Sequence, residues 1–302
     1  MTSSQQERAA LFTLLRERRR EVSWGRIASD VSAEGSALVV LEERTDGELF
    51  PAPVSEVDLA NAADQLTDWR AAGYQLVTVL DDTYPARLLD IRETPPFLFY
   101  RGKLQRHDPG MSIVGSRSAS PWALEMAATV AELLVAQNLT VISGLAAGID
   151  AAAHRAALAA GGRTVAFLGT GIARSYPAAN AALQEEIGSR GLLLSQFYPD
   201  APPTKQSFPM RNASMSGYGL ATIVIEAGEH SGTRIQARLA GEHGRPVILT
   251  SRVSESTSWG RALAGAPNVW VVNTLNELRA AIEEVRSAPE RLEDALRALL
   301  AS

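Results

Sequence analysis

Short apolar runs alternate with amphipathic segments through the second half of the chain. The runs predict strands at residues 111–115, 140–143, 164–168, 191–195, 221–226, 246–249 and 268–272. Helices are predicted between most of them, at residues 121–137, 149–160, 178–189, 231–243 and 274–286. Strands and helices that alternate in this way predict an α/β fold, with a doubly wound, mainly parallel sheet and right-handed crossovers.

The N-terminal part of the chain has a less regular pattern. Residues 1–21 predict an amphipathic helix that ends in the basic run Arg16–Arg20. This run is either a solvated helix end, where positive charge suits the helix dipole, or a contact for nucleic acid. Residues 37–41 form a β-like apolar run, but the pattern does not determine the fold of the segment 22–50 that contains them.

The remaining pattern divides the chain into parts. Pro51 and Pro53 predict a linker, and further elements are expected as a helix at 57–71, strands at 74–80 and 97–100, and a last short helix at 292–300. We therefore expect an N-terminal mainly helical region (1–72), a connector that docks on the sheet edge (73–108) and an α/β domain with C-terminal helices (109–302).

Composition narrows the class of protein. The chain has 302 residues, of which 46% are hydrophobic and 21% charged, values that are ordinary for a globular protein. It has no cysteine and four histidines, none of them in an H-x-x-x-H pair, so neither a thiolate nor a zinc site is expected. No apolar run is long enough for a membrane span and no signal peptide pattern is present, so we expect a cytoplasmic protein without cofactor or membrane partner.

The charge is distributed unevenly. The net charge of −5 argues against a generally basic protein that binds nucleic acid through its whole surface. Residues 110–250, however, hold ten Lys or Arg and nine Asp or Glu, so the acidic excess lies in the flanking segments. A nearly neutral domain still binds a phosphate chain if its arginines converge.

Glycine-containing turns follow the predicted strands, and in a parallel sheet such turns meet at one edge, where main-chain N–H groups and helix N-termini favour anions. Gly115-Ser116-Arg117 follows the first strand of the domain. Its arginine suits a phosphate oxygen, although the tripeptide alone also fits a surface turn. We expect the other candidates for this edge to be Ser143, Gly144, Gly148, Gly169, Gly171, Arg211, Asn212, Glu226, Ser231, Gly232 and Arg234.

Two acidic residues in these turns allow more than one interpretation. Asp150 begins a predicted helix after a possible nest of N–H groups, and His154 follows one helical turn later. A structural contact between the two is favoured over catalysis. Glu226 ends an apolar run and is either a ligand contact or a hydrogen-bonded carboxylate that holds a loop.

Several of these segments together resemble the DprA/Smf family of DNA-processing proteins. The matching segments cover residues 75–285 in the family's order: DDTYPARLLDI, PPFLFYRG, IVGSRSAS, VISGLAAGIDAAAHRAAL, TVAFLGTGIARSYPAAN, FPMRN, IVIEAGEHSG and a stretch around Gly260 to Val271. The resemblance implies an extended Rossmann-like fold of the SLOG superfamily. It also implies a homodimer that binds single-stranded DNA and loads RecA during natural transformation, with no catalytic residue and no metal.

The resemblance places Arg117, Ser143, Gly144 and Arg211 in the pocket for the DNA backbone, with Lys205 and Arg234 as weaker additions. The chain departs from the family at Ala147 and Ala213, where a basic residue and a second arginine are usual. Arg234 stands where the family usually has an apolar residue. The N-terminal segment lacks a clear glycine hairpin of the helix-hairpin-helix type, and no C-terminal winged helix is expected.

Two other functions are compatible with these motifs. The first is a sensor that binds a small nucleotide without catalysis. The second is a hydrolase of the nucleotide N-glycosidic bond, whose signature resembles Met210-Arg211-Asn212 with Met215, followed by Gly232-Thr233. Those enzymes need an acid where this chain has Gln236, an amide that does not exchange a proton with a leaving base, so hydrolysis is disfavoured unless Glu226 substitutes.

Overall fold

A computed structural model describes residues 3–18, 21–46 and 56–300, and in this part of the chain a nine-stranded sheet forms the centre of the molecule. The strands are β1 (Gln75–Thr78), β2 (Phe97–Gly102), β3 (Gly110–Val114), β4 (Thr140–Ser143), β5 (Thr164–Phe167), β6 (Leu192–Ser195), β7 (Thr222–Val224), β8 (Val247–Thr250) and β9 (Val269–Val272). Their order is β1-β2-β6-β5-β4-β3-β7-β8-β9, in which β1 and β2 are antiparallel and β3 to β9 are parallel. The predicted doubly wound, mainly parallel fold is confirmed.

Helices cover both faces of the sheet and the N-terminal region. They are α1 (Ser3–Glu17), α2 (Trp24–Glu34), α3 (Ala37–Asp46), α4 (Glu56–Ala71), α5 (Pro121–Ala136), α6 (Ile149–Ala159), α7 (Ala181–Arg190), α8 (Ser207–Tyr218), α9 (Gly232–Glu242), α10 (Ser251–Ser256), α11 (Ser258–Leu263) and α12 (Leu275–Leu300). Short 3₁₀ helices lie at Ala86–Asp90 and Ala178–Asn180. None of the described helices is both long and apolar enough to cross a membrane.

The central strands are buried on both faces, which explains why they read as continuous apolar runs rather than as alternating ones. Met111 and Ile113 of β3 belong to the apolar cluster that includes residues of α5, α6 and α12. Val114 belongs to the cluster on the opposite face, which includes Met215 of α8 and Ala237 of α9. This layering places α5 on one face of the sheet and α8 and α9 on the other.

The N-terminal helices share the second of these clusters through a group of aromatic rings. The ring centroids of Phe12 and Phe97 lie 4.8 Å apart, and those of Phe97 and Tyr198 lie 5.8 Å apart. Trp69 of α4 packs against Tyr198 at 5.5 Å, and Trp24 of α2 packs against Phe97 at 5.4 Å. Residues from α1, α2 and α4 are therefore packed directly against the β2 side of the sheet.

The structure corrects two of the predicted elements. The β-like run at 37–41 is the beginning of α3, because the side chain of Glu7 accepts hydrogen bonds from Ala37 N at 2.6 Å and Leu38 N at 3.3 Å and so caps that helix. The separate helix at 292–300 is the end of α12, which continues without a break while Arg291 pairs with Glu284 at 2.6 Å across two turns. Arg19, Arg20 and the predicted linker lie outside the described residues.

Phe12→Ala tests whether the N-terminal helices are part of the common core. Phe12 is completely buried, so its truncation is expected to lower the free energy of unfolding by about 3–5 kcal/mol, the usual cost for a buried aromatic ring. The measurement is urea unfolding followed by circular dichroism. Val39→Ala is the control, because Val39 lies in the same region but is 39% exposed, and its truncation is expected to change little. Equal unfolding of parent and Phe12→Ala would contradict a shared core.

Candidate nucleic-acid interface

The candidate site lies where the strand order reverses. From β3 the chain passes through β4, β5 and β6 on one side and then returns to β7 on the other side of β3. In open α/β sheets, the carboxyl ends of the strands at such a switch point leave a crevice for ligands. Here the crevice is an open cleft of about 590 Å³, bordered by the turn after β3, the turn before α6, the first half of α8 and the start of α9.

The fifteen residues predicted from sequence divide into two sets, and all of them lie within the described ranges. Seven line the cleft: Gly115, Ser116, Arg117, Arg211, Asn212, Ser231 and Gly232. Eight do not: Ser143, Gly144, Gly148, Gly169, Gly171, Lys205, Glu226 and Arg234. The cleft therefore unites the turns that follow β3 and β7 with α8. The turn that follows β4 contributes Ala146 and leads to Asp150, but its predicted residues are not part of the lining.

Arg117 is the exposed cation of the cleft. Its guanidinium carbon lies 5.4 Å from the ring centroid of Phe208, which lies at the beginning of α8. Within the residues that the structure describes, no carboxylate forms an ion pair with Arg117. A guanidinium that is held against an aromatic ring and lacks an acidic partner keeps its N–H groups available for an anion.

Arg211 contributes a second guanidinium, but it lies in the floor of the cleft. It is only 5% exposed, and its Nη1 donates to the main-chain oxygen atoms of Gly144 and Phe167, the latter at 2.9 Å. Its buried Nε has no hydrogen-bond partner. Burial lowers the pKa of Arg211, and Asp150 opposes that change. Arg211 thus joins the ends of β4 and β5 to α8 instead of projecting from the rim.

The expected nest of main-chain amides after β4 is bonded internally. Asp150 Oδ2 accepts from Gly144 N at 3.1 Å and from Ala146 N at 3.3 Å. Burial raises the pKa of Asp150, while the charge of Arg211 and these hydrogen bonds lower it. Because the carboxylate already occupies these two amides, they are not free to bind a phosphate. Gly148 closes the turn with a φ of 77°, a conformation that glycine adopts without strain.

The predicted contact between Asp150 and His154 is wrong, because each side chain has other partners. His154 Nδ1 lies 2.7 Å from Thr164 Oγ1, and that hydroxyl donates to Val141 O at 2.8 Å, so the imidazole must donate from Nδ1. His154 Nε2 is buried without a partner. Protonation would place an unpartnered N–H in the core, and burial, aided by the charges of Arg211 and Arg155, lowers the pKa of His154 to about 3.

Glu226 has a structural role. Its carboxylate accepts from Ser120 N at 2.9 Å and from Ser120 Oγ at 2.6 Å. Ser120 is the N-cap residue of α5, and its Oγ accepts from Ala123 N. Of the two interpretations of Glu226, these contacts favour the carboxylate that holds a loop, since it ties the start of α5 to the end of β7.

The positions that depart from the family differ in environment. Ala147 is exposed in the turn before α6, whereas Ala213 is only 2% exposed and lies inside α8. Lys205 and Arg234 are exposed outside the cleft lining. A cation at 147 would reach solvent beside the cleft, but one at 213 would replace a small buried side chain. The exposed side of the cleft therefore has fewer cations than the family pattern provides.

The cleft also contains residues that the sequence did not identify as site residues. Phe208 lies under Arg117 and 5.6 Å from the ring of Tyr176, which is 43% exposed. His230 and the buried Gln236 are further lining residues. Phe208 stands three residues before Arg211 in the matching motif FPMRN. This position is the sequence feature that could have identified Phe208 as a site residue. No signal indicated that Tyr176, from the turn after β5, would approach it.

A doubly wound sheet with an arginine-bearing cleft at its switch point is an architecture that suits phosphate-containing ligands. A model of the family of DNA recombination-mediator protein A matches residues 75–272, and the chain belongs to that family. This confirms the resemblance seen in the sequence.

Individual relatives agree with this assignment. DNA processing protein DprA of Streptococcus pneumoniae is 43% identical over 172 residues, which are 57% of this chain and 61% of that protein. Protein Smf of Synechocystis is 39% identical over 179 residues, 58% of this chain and 45% of that protein. The chain spans about half the length of the curated relatives that it matches.

Solved structures show the same architecture. The crystal structure of DprA from Streptococcus pneumoniae has a TM-score of 0.65 and 32% identity, and the match covers 86% of this chain and 98% of that one. A structure of DNA processing protein A from Helicobacter pylori, described for its single-stranded DNA binding mode, has a TM-score of 0.62 and 23% identity over 70% of this chain and 97% of that one. This second likeness concerns the fold.

His154→Asn tests the neutral buried imidazole. The pKa of His154 is about 3 in the folded protein and 6.5 for an unperturbed imidazole. As the pH falls below 6.5, the unfolded chain binds a proton that the folded chain excludes, so the free energy of unfolding falls by up to about 1.4 kcal/mol per pH unit. The loss stops near pH 3. His154→Asn, which keeps a group near Thr164, should remove this part of the pH dependence.

The measurement is urea unfolding at several pH values between about 7 and 5, with the slope against pH compared between proteins. Asp150 titrates in parent and variant alike, so the difference between them isolates His154. His107→Asn is the matched control, because it removes an exposed imidazole instead of the buried one. Identical slopes for parent and His154→Asn would show that the folded protein protonates this imidazole normally.

Proposed function

We propose that the chain binds single-stranded DNA in the cleft and acts in DNA recombination during natural transformation. The observation that carries this proposal is Arg117, an exposed guanidinium that is held over Phe208 at the sheet's switch point and has no ion pair within the described residues. A cation beside an aromatic ring suits a nucleic acid strand, because the cation binds phosphate and the ring stacks on an unpaired base. Family membership supports DNA as the ligand, and the relative from Helicobacter pylori is described as binding single-stranded DNA.

In this proposal the lining residues have distinct roles. Arg117 binds a phosphate through two N–H groups, and Asn212 and Ser231 offer additional polar groups from α8 and the start of α9. Gly232, the first residue of α9, lets the strand approach the N-terminus of that helix. Phe208 provides a surface for a base.

The predicted residues outside the lining shape the site from below or beside it. Ser143 donates to Ile113 O at 2.6 Å and so joins β4 to β3. Glycine at position 169 leaves room for the ring of Phe208. We propose that Lys205 and Arg234 attract the strand by charge from outside the cleft.

Family membership also leads us to propose the partners. These are RecA, onto which the bound strand is transferred, and a second copy of this chain. We further propose a cytoplasmic location and a division into an N-terminal helical region (1–72), a connector (73–108) and the Rossmann-like domain (109–302).

We propose that binding does not lead to hydrolysis. Gln236, which lines the cleft, lies at the position of the acid in the related nucleotide hydrolases and does not supply a proton to a leaving base. Glu226 is bonded to Ser120, and Asp150 is bonded to two main-chain amides. Incubation with AMP should therefore release no adenine above the level in buffer. Release that disappears in Asp150→Asn or Glu226→Gln would instead identify a nucleotide hydrolase.

Arg117→Ala is expected to weaken binding of a single-stranded oligonucleotide by about 1–3 kcal/mol, the range for a lost charge-assisted hydrogen bond. The plot of log affinity against log salt should also become shallower by about 0.7, the value for one phosphate contact on a single strand. Fluorescence anisotropy over a salt series measures both quantities. Arg279→Ala is the matched control, since Arg279 is an exposed arginine of α12 outside the cleft lining.

Single-stranded DNA, double-stranded DNA and a mononucleotide are compared in the same assay. A parent protein that binds the mononucleotide tightly and the oligonucleotide no better would favour the nucleotide sensor. If Arg117→Ala and Arg279→Ala bind the oligonucleotide equally well, the strand does not lie in the cleft. Thermal unfolding of each variant separates lost binding from lost folding.

A further inference from the structure

Beside the cleft, an arginine and a tryptophan form a stacked pair that the sequence motifs do not include. The guanidinium carbon of Arg252 lies 3.9 Å from the ring centroid of Trp122. Arg252 is exposed and Trp122 is partly exposed. At this distance the two groups form a cation–π contact that restricts the arginine to one region of the surface.

Both residues belong to elements that start at the same edge of the sheet as the cleft. Trp122 is in the first turn of α5, and Ser120, the N-cap of that helix, is bonded to Glu226 just beyond β7. Arg252 is the second residue of α10, which directly follows β8. The partly buried side chain of Trp122 packs against the apolar cluster that includes residues of α5. The pair is therefore held in place by the ends of β3, β7 and β8.

The charge of Arg252 is not paired with a carboxylate in the part of the chain that the structure describes. Among the residues that the structure describes, no hydrogen bond or ion pair involves its guanidinium group. Glu226 and Glu229 at this edge have other bonds, since Glu226 holds Ser120 and Glu229 accepts from Ser258 N at 2.8 Å. Glu255 stands three residues after Arg252 but forms no ion pair with it within the described ranges. A positioned guanidinium without a carboxylate is suited to an external phosphate.

We propose that Trp122 and Arg252 form a second contact for the strand that occupies the cleft. Adjacent strands of a sheet lie about 4.8 Å apart, so β8 ends roughly 10 Å from β3. In a stacked strand the rise along the axis is about 3.4 Å per nucleotide. The roughly 10 Å between the ends of β3 and β8 therefore corresponds to about three nucleotides. Arg252 binds a phosphate that leaves the cleft on the β8 side, and the exposed part of Trp122 stacks on the adjoining base.

This proposal rests on the proposed function and makes it more specific, because it gives the strand a direction across the sheet edge. It also offers a source of positive charge that the family motifs do not provide. Ala147 leaves the solvent beside the cleft without the cation that the family resemblance implies there, and Arg252 adds one at the other side of the switch point.

The test compares a dinucleotide of thymidine, which is shorter than the distance between the cleft and Arg252, with an oligonucleotide of about 12 thymidines, which extends beyond both. The full chain and the variants Arg252→Ala, Arg252→Lys and Trp122→Leu are measured by anisotropy over a salt series, with Arg279→Ala as the control. Arg252→Ala should weaken the long oligonucleotide about tenfold, make its salt dependence shallower by about 0.7 and leave the short one unchanged. Arg252→Lys should recover the salt dependence but only part of the affinity, because lysine keeps the charge without the planar guanidinium.

Trp122→Leu should weaken the long oligonucleotide alone, and its thermal unfolding temperature reports whether α5 is intact. Equal binding of the long oligonucleotide by parent and Arg252→Ala would overturn the second contact, while an effect of Arg117→Ala on both lengths would leave the cleft assignment intact. A change of sedimentation coefficient in Arg252→Ala, without a length-dependent loss of DNA binding, would overturn the proposal in favour of an interface between copies of the chain. If the parent bound neither oligonucleotide, the proposed function itself would fail.

Discussion

The geometry of the cleft depends on one buried guanidinium. Arg211 extends from α8 to the carbonyl oxygen atoms at the ends of β4 and β5, and its charge acts on the buried carboxylate of Asp150. Asp150 in turn holds the amides of the turn that follows β4. A buried charge is tolerated only when it is paired and hydrogen-bonded. The guanidinium of Arg211 and the carboxylate of Asp150 therefore depend on each other for their burial. The turn after β4, the end of β5 and α8 are thereby fixed around one opening.

This arrangement explains why the chain needs glycine in turns that do not contact the proposed ligand. An added Cβ at Gly144 would collide with the guanidinium of Arg211, so the turn accepts Arg211 only because the side chain is absent. Glycine-rich turns at the ends of parallel strands are commonly associated with open amides for phosphate. In this protein two amides of the turn after β4 are bonded to the buried carboxylate of Asp150 instead.

Much of the fold could be predicted from the sequence, because buried parallel strands give apolar runs that are bounded by glycine turns. The strand β4 was located at its correct residues, and β3, β5 and β9 were located within one residue at each end. Helix α3 was not recognised, because the five apolar residues at its start form too short a segment to show the helical period. Its N-terminal cap is also supplied by Glu7, which lies in another helix. The pattern of apolar and polar residues within a segment does not show that a residue far away in the sequence caps its helix.

The same limit applies to the site. The sequence identified Arg117 and Arg211 together, but one is exposed and the other is 5% exposed, a difference that depends on the packing of α8 against β5. The stacking of Arg252 on Trp122 joins residues that are far apart in sequence, and neither stands in a glycine turn. Because a phosphate chain is bound by several weak contacts along its length, cations outside the motifs contribute to affinity as those inside do. A chain with an acidic net charge would bind a polyanion only along a path where its arginines are aligned, and we propose that the carboxyl ends of β3, β7 and β8 provide such a path.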